Sequence, residues 1–186
     1  MAMLAALWLP ILLSAVLVFV ASSVIHMFLG YHANDFGAVP GEDRVMTVLR
    51  EEGVTPGQYV FPHAEGMEEM SSPEFVEKSK KGPVAFLTVV ESGPPSMGKQ
   101  LTQWFVYLVV ASILVAYVSG LSLGAGAPYM DVFRVVSATA FLAYTVALWQ
   151  QPIWYGRAWS MTLKNTLDGL IYALLTAGVF GWLWPA

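Results

Sequence analysis

Residues 150–184 read QQPIWYGRAWSMTLKNTLDGLIYALLTAGVFGWLW, and how this stretch is read decides the fold. The part over 161–184 is long enough and apolar enough to cross a bilayer as a helix. Yet its first turns carry Lys164, Asn165 and Asp168. Taken as a span, it is the last of four. Asp168 then lies about 10 Å below the start of the helix at 1.5 Å per residue. A carboxylate at such a depth costs about 2.5–3.5 kcal/mol unless it is paired or wet. Asp168 is therefore expected to face the bundle interior, at the head of a polar stripe with Asn165, Tyr172 and Thr176 at helical spacing. Lys164, one turn earlier, is its nearest candidate partner in sequence.

Working back along the chain, the same criterion marks spans at 3–29, 100–123 and 129–149. Of the 186 residues, 56% are hydrophobic and only 12% are charged, about half the charge usual in a soluble domain. The charge is also segregated. Residues 30–98 hold eleven acids and five bases, a net of −6, leaving two acids and four bases elsewhere. The expected architecture is an all-α membrane protein, a bundle of four transmembrane helices forming one membrane domain over 1–186. A small polar α+β insert at 30–98 lies between helices 1 and 2 and is not an independent domain. The first span has no Lys or Arg before it and is longer than a signal-peptide core, so it is expected to be retained, with Pro10 as a site of kinking.

Inside the insert, Val45, Val48 and Leu49 give 42–52 a helical period, and Gly53 is its stop. Ser71 and Glu74 stand at capping-box spacing around Pro73, which starts a second short helix running to Lys80. Runs at 58–62 and 83–90 are rich in β-branched and aromatic residues and are expected to pair. Ser92, Gly93, Pro94 and Pro95 form a turn before the second span.

Stripes of small residues mark where the spans should touch, because lipid gives apolar helices no reason to associate and close backbone approach does. The stripes are Gly169, Ala173, Ala177 and Gly181 in the fourth span, Ser112, Ala116 and Gly120 in the second, and Thr139, Ala143 and Ala147 in the third. Packing within the bundle is the first expectation; a homodimer through one stripe, or contact with other membrane subunits, is the alternative. All seven tryptophans fall near span ends, as an interfacial belt would place them. Eight of the nine Lys and Arg residues fall on or near the insert side. The positive-inside rule then places the insert in the cytoplasm and both termini outside, in an inner membrane.

The segment Trp154, Tyr155, Gly156, Arg157, Trp159 and the Gly- and Ala-rich helix after it resemble a family of small four-span bacterial inner-membrane proteins of unknown function. Gly156, Arg157 and Trp159 carry that resemblance, which covers about a third of the chain and implies architecture without an activity. Phe28, Leu29, Gly30, Tyr31 and His32 echo the Trp154–Arg157 pattern and hint at a repeated helix pair.

Candidate chemistry centres on few residues. His26, near the inner end of span one, is on the same side as Asp168 and is its natural intramembrane counterpart. A polar pocket lined by His26, Arg157, Asn165, Asp168 and Tyr172 would hold a small lipophilic or anionic ligand, with Arg157 also suited to stack on its aromatic neighbours or meet a lipid phosphate. His26, His32 and Asp35 are the candidate metal ligands. With no cysteine in the chain, thiolate zinc and iron–sulfur sites are excluded. A single histidine within the spans excludes an intramembrane bis-histidine haem. No P-loop, dinucleotide fingerprint, zinc-protease or serine-hydrolase motif occurs, the mild acidity gives no basis for nucleic-acid binding, and no cofactor is specified. The leading expectation is a non-enzymatic accessory or scaffold subunit of a membrane assembly. Ligand binding and a metal site are the alternatives.

Overall fold

A computed structural model of the chain describes residues 2–94 and 96–186. The fold is mostly helical and divides into two compact units, residues 1–36 with 96–186 and residues 37–95. Three helical stretches are long and apolar enough to cross a membrane: Trp8–Phe28, Met97–Ser122 and the continuous run Tyr129–Tyr155.

The first unit begins with α1 (Ala2–Ala6) and α2 (Trp8–Phe28). The break between them is the expected effect of Pro10. Its ring crowds the carbonyl four residues back, that of Ala6, and it has no N–H to bond it. The chain tightens there, with Leu7 N–H donating to Leu4 O at 3.2 Å. Next come α6 (Met97–Ser122), α7 (Tyr129–Thr145) and, across a 3-10 turn at Val146–Trp149, α8 (Gln150–Tyr155). Residues 150–155 fall between the expected spans at 129–149 and 161–184. They are helical because Pro152 removes only one ladder bond, and the helix stops at Gly156, whose φ of 63° suits a residue without a Cβ.

The last helix is α9 (Trp159–Trp182). Lys164, Asn165 and Asp168 dilute the hydropathy of its first turns, so it does not join the three apolar stretches on composition. It is nonetheless part of the bundle: it packs along α7 and against α2, while α6 packs against α2 and α7. Gly169 lies beside Tyr144 and Thr145 and Gly181 beside Tyr129, so α9 and α7 run antiparallel.

The small-residue stripes hold for two helices. Gly169, Ala173 and Ala177 of α9 and Ser112 and Ala116 of α6 are buried. Ser14 Oγ of α2 meets Ser112 Oγ at 3.2 Å, so these small side chains also exchange a hydrogen bond. The third stripe was assigned to the wrong face. α7 buries Val132, Val136, Ala140 and Tyr144, whereas Ala143 and Ala147 are exposed. Its buried face is built from larger side chains because the glycines of α9 opposite make room for them.

The second unit holds α3 (Glu42–Glu51), β1 (Gly57–Phe61), α4 (Met67–Met70), α5 (Pro73–Lys81) and β2 (Ala85–Val89). The two strands pair antiparallel as expected, Gly57 opposite Val89 and Phe61 opposite Ala85. The cap of α5 is Ser72, one residue later than the capping-box spacing suggested: its Oγ accepts from Phe75 N–H at 3.1 Å. Ser71 is occupied in ending α4, its Oγ donating to Met67 O at 2.9 Å. Of the expected 92–95 turn, Ser92–Pro94 bends and Pro95 lies outside the described residues.

Candidate functional site

The polar residues of the first unit converge where α2 ends and α9 begins. α2 stops at Phe28, and Gly30, with φ 67°, lets the chain reverse. Two short turns follow, Ala33 N–H donating to Gly30 O and Asp35 N–H to His32 O, both at 3.0 Å. Residues 31–36 therefore belong with the bundle rather than with the unit that follows. This reversal brings Tyr31, His32 and Asp35 over the first turns of α9, some 130 residues away in sequence.

Asp168 is 2% exposed and is the hub. Its Oδ1 accepts from the Tyr31 hydroxyl. Its Oδ2 lies 2.9 Å from His32 Nε2 and 4.0 Å from His26 Nε2. The other ring nitrogen of His32, Nδ1, is 2.6 Å from Asp35 Oδ2. The second oxygen of Asp35, Oδ1, accepts from Lys164 Nζ at 2.7 Å. The expected Lys164–Asp168 pair is thus replaced: Lys164 reaches Asp35, and His32 and Tyr31 satisfy Asp168.

The proton inventory follows from the contacts. Both nitrogens of His32 face carboxylate oxygens, which only accept when ionised, so the ring donates twice as an imidazolium. Lys164, Asp35, His32 and Asp168 then alternate in sign and sum to zero. That is how a buried carboxylate is tolerated: it is paired and every oxygen is bonded. The Lys164 ammonium, and after it the His32 ring, hold the Asp35 carboxyl below the usual carboxylate range. Burial, and then Asp168 beside it, push the Tyr31 phenol above its ordinary value. Tyr31 therefore stays protonated and keeps its role as donor.

His26 is held differently. Its Nδ1 lies 2.9 Å from the Ser22 carbonyl, which can only accept, so Nδ1 carries a hydrogen and Nε2 is the nitrogen that faces Asp168. The ring stacks on His32, with centroids 4.6 Å apart and planes 6° apart.

Beside this cluster the bundle contains a cavity of about 550 Å³. His26, Asn165, Asp168 and Tyr172 line its polar side, and Met27, Met97, Leu101, Trp104, Tyr107 and Leu148 its apolar side. Tyr172 is 4% exposed, and its hydroxyl has no hydrogen-bond partner among the described residues. Trp104, expected in the interfacial belt, is instead a wall of the cavity: its indole N–H donates to Ser22 Oγ at 2.9 Å and its ring stacks on Tyr107.

Four of the five expected ligand-binding residues, His26, Asn165, Asp168 and Tyr172, thus meet at one cavity. Arg157 is not among its lining residues; its Nε donates to Met161 Sδ at 2.8 Å. Of the three expected metal ligands, His26 and His32 do come together. The carboxylate that makes the third member of the group is Asp168, not Asp35. Asp35 sits on the far nitrogen of His32, because i to i+3 spacing across a tight turn brings it to Nδ1 while Nε2 points into the bundle. Tyr31 was not singled out from the sequence. Its one signal was its place directly after a helix-ending glycine.

No protein-family model, characterised protein or solved structure matches this chain. The functional reading therefore rests on the geometry.

Proposed function

We propose that the protein binds a small lipophilic molecule with a neutral hydrogen-bonding head in the bundle cavity. One observation carries this reading: a largely apolar, aromatic-walled cavity of about 550 Å³ is lined by Tyr172, whose buried hydroxyl has no hydrogen-bond partner among the described residues. A buried polar group without a partner costs about 1–3 kcal/mol, and a ligand accepting from Tyr172 would recover it. Small-molecule sites are commonly of this size and kind, apolar walls with a few convergent polar groups. The neutral head follows from charge. Asp168 is already balanced, and Arg157, the cation an anionic ligand would need, lies outside the lining. Trp104 and Tyr107, with centroids 5.2 Å apart and planes within 20°, offer flat faces to a planar ring.

The setting that fits this reading is a multi-pass membrane protein with four spans. α9 follows the length of α7 in antiparallel contact, so a bilayer crossed by α7 is crossed by α9 as well. Its polar first turns are tolerable because their charges are paired by residues 31–36. With four spans, the excess of Lys and Arg on the insert side favours a cytoplasmic insert, external termini and a cavity near the cytoplasmic leaflet. The exposed apolar side chains of α6, Val106, Val110 and Leu114 among them, are what lipid requires. They give no specific support to an accessory-subunit role.

The test is extraction of the full chain in mild detergent, followed by mass spectrometry of the lipophilic molecules that copurify. The expected result is one species at near-stoichiometric level, reduced tenfold or more in Ser23→Phe, which places a ring on the cavity wall. A bulk lipid profile that is identical in the parent and in Ser23→Phe overturns the reading.

A further inference from the structure

We propose that His26, His32 and Asp168 form a binding site for a divalent first-row transition ion, with Asp35 and Ser22 as its outer supports. The three candidate donor atoms, one from each residue, lie within 4.8 Å of one another. The separations are 2.9 Å for His32 Nε2 to Asp168 Oδ2 and 4.0 Å for His26 Nε2 to Asp168 Oδ2. Donors around a tetrahedral ion with ~2.0–2.1 Å bonds stand roughly 3.3 Å apart. The observed distances bracket that separation.

Proximity alone is weak evidence, since carboxylates and imidazoles gather for many reasons. The stronger observation is how each imidazole is held from behind. Metal-ligating histidines donate their other ring N–H to a carboxylate or a backbone carbonyl, which fixes the tautomer and turns the lone pair to the metal. Both forms occur here. His26 gives Nδ1–H to the Ser22 carbonyl, and His32 gives Nδ1–H to Asp35, itself anchored by Lys164. Both Nε2 atoms consequently point at the same carboxylate. His26 Nε2 reaches no hydrogen-bond partner among the described residues, since 4.0 Å is too long for one.

A metal accounts for this geometry. The ion would replace the hydrogen now between His32 Nε2 and Asp168, and would draw in the lone pair of His26. Tyr31 would keep its bond to the second oxygen of Asp168. Two imidazoles and one carboxylate, with no thiolate, suit zinc, iron(II), cobalt(II) or manganese(II) better than copper(I). His26 and Asp168 also line the cavity, so the unfilled coordination positions would open onto it. The site does not depend on the cavity being occupied.

The experiment is titration of the full chain in detergent, stripped with a chelator, with Co²⁺ alone and then with Zn²⁺. One Co²⁺ per chain is expected, with the visible bands of a four- or five-coordinate ion that Zn²⁺ abolishes. His26→Ala removes a half-exposed ring and leaves His32, Asp35, Lys164 and Asp168 with their hydrogen-bond partners, and is expected to weaken Co²⁺ binding at least tenfold. Asp35→Asn, which leaves all three ligands in place, is expected to weaken it about 10–100-fold. Absence of Co²⁺ binding by the native chain overturns the proposal, a result that needs no variant to fold. Equal binding by His26→Ala and the native chain also overturns it. Ser23→Phe separates the two readings: it is expected to lose the lipophilic molecule and to keep Co²⁺.

Discussion

The two units of this chain use their polar and apolar residues in opposite ways. In the unit of 1–36 and 96–186, Leu, Val and Trp side chains stand exposed along the helices, while Ser14, Ser112, Thr176 and Asp168 are buried. In the unit of 37–95, Pro62 is the only buried residue among those described, and the charges lie outside. The difference shows what holds each one. The helical unit is tied together by close backbone approach and by polar contacts that lipid cannot satisfy. The other relies on local devices: the Ser72 cap, a two-stranded ladder, and short helices with acids in their first turns and bases in their last. A substitution should therefore be costly inside the bundle and nearly silent in 37–95, and three changes test that contrast.

The largest effect is expected from Asp168→Ala. It leaves a His32 imidazolium without its second carboxylate and takes away the acceptor of Tyr31. Breaking a buried pair by removing one partner costs about 3–5 kcal/mol. Unfolding in mixed micelles should show a loss of that size, and Asp168→Asn, which keeps the shape and one acceptor, a smaller one. A loss below about 1 kcal/mol would mean that water already screens the cluster.

Much of this was legible in the sequence, and the exceptions share a cause. Hydropathy and helical period place the bundle helices, and the cost of charge in lipid singles out His26 and Asp168. Local spacing also places β1 and β2 within a residue or two. What spacing cannot supply is long-range pairing. Lys164 looks like the partner of Asp168 because they are one turn apart, yet the reversal at Gly30 offers it Asp35 instead. Tyr31 has no periodicity to betray it. Trp104 fits the interfacial belt by position, and only the neighbouring helices turn it into a cavity wall. The buried face of α7 was misassigned for the same reason: small residues mark a contact only when the facing helix does not already supply them.

Gly169→Val should come next. A Cβ at Gly169 would run into Thr145 Cγ2 and lie 3.3 Å from Tyr144 Cβ, and both neighbours are buried. Overpacking of this kind costs about 1–3 kcal/mol. The same change at Gly178, where nothing lies within 4 Å of an added Cβ, provides the control on α9 itself. Equal losses at the two positions would show that helix propensity, not the α7–α9 contact, sets the cost.

The smallest effect is expected at Val48→Ser on α3. Val48 is 54% exposed, and with Val45 and Leu49 it forms an apolar face with no buried residue on its helix. Surface changes away from caps and buried networks usually fall within about 0.5 kcal/mol, so proteolysis and hydrogen exchange over 37–95 should be unchanged. Its value is as a probe of the contrast. A strand or helix with an apolar side and nothing buried is stable only through local bonds, or else that side is covered in the working protein. If Val48→Ser costs more than about 1.5 kcal/mol in bilayers but not in detergent, lipid is the cover, since α3 has the amphipathic character of a surface-lying helix. If it is silent in both, the local devices are sufficient by themselves.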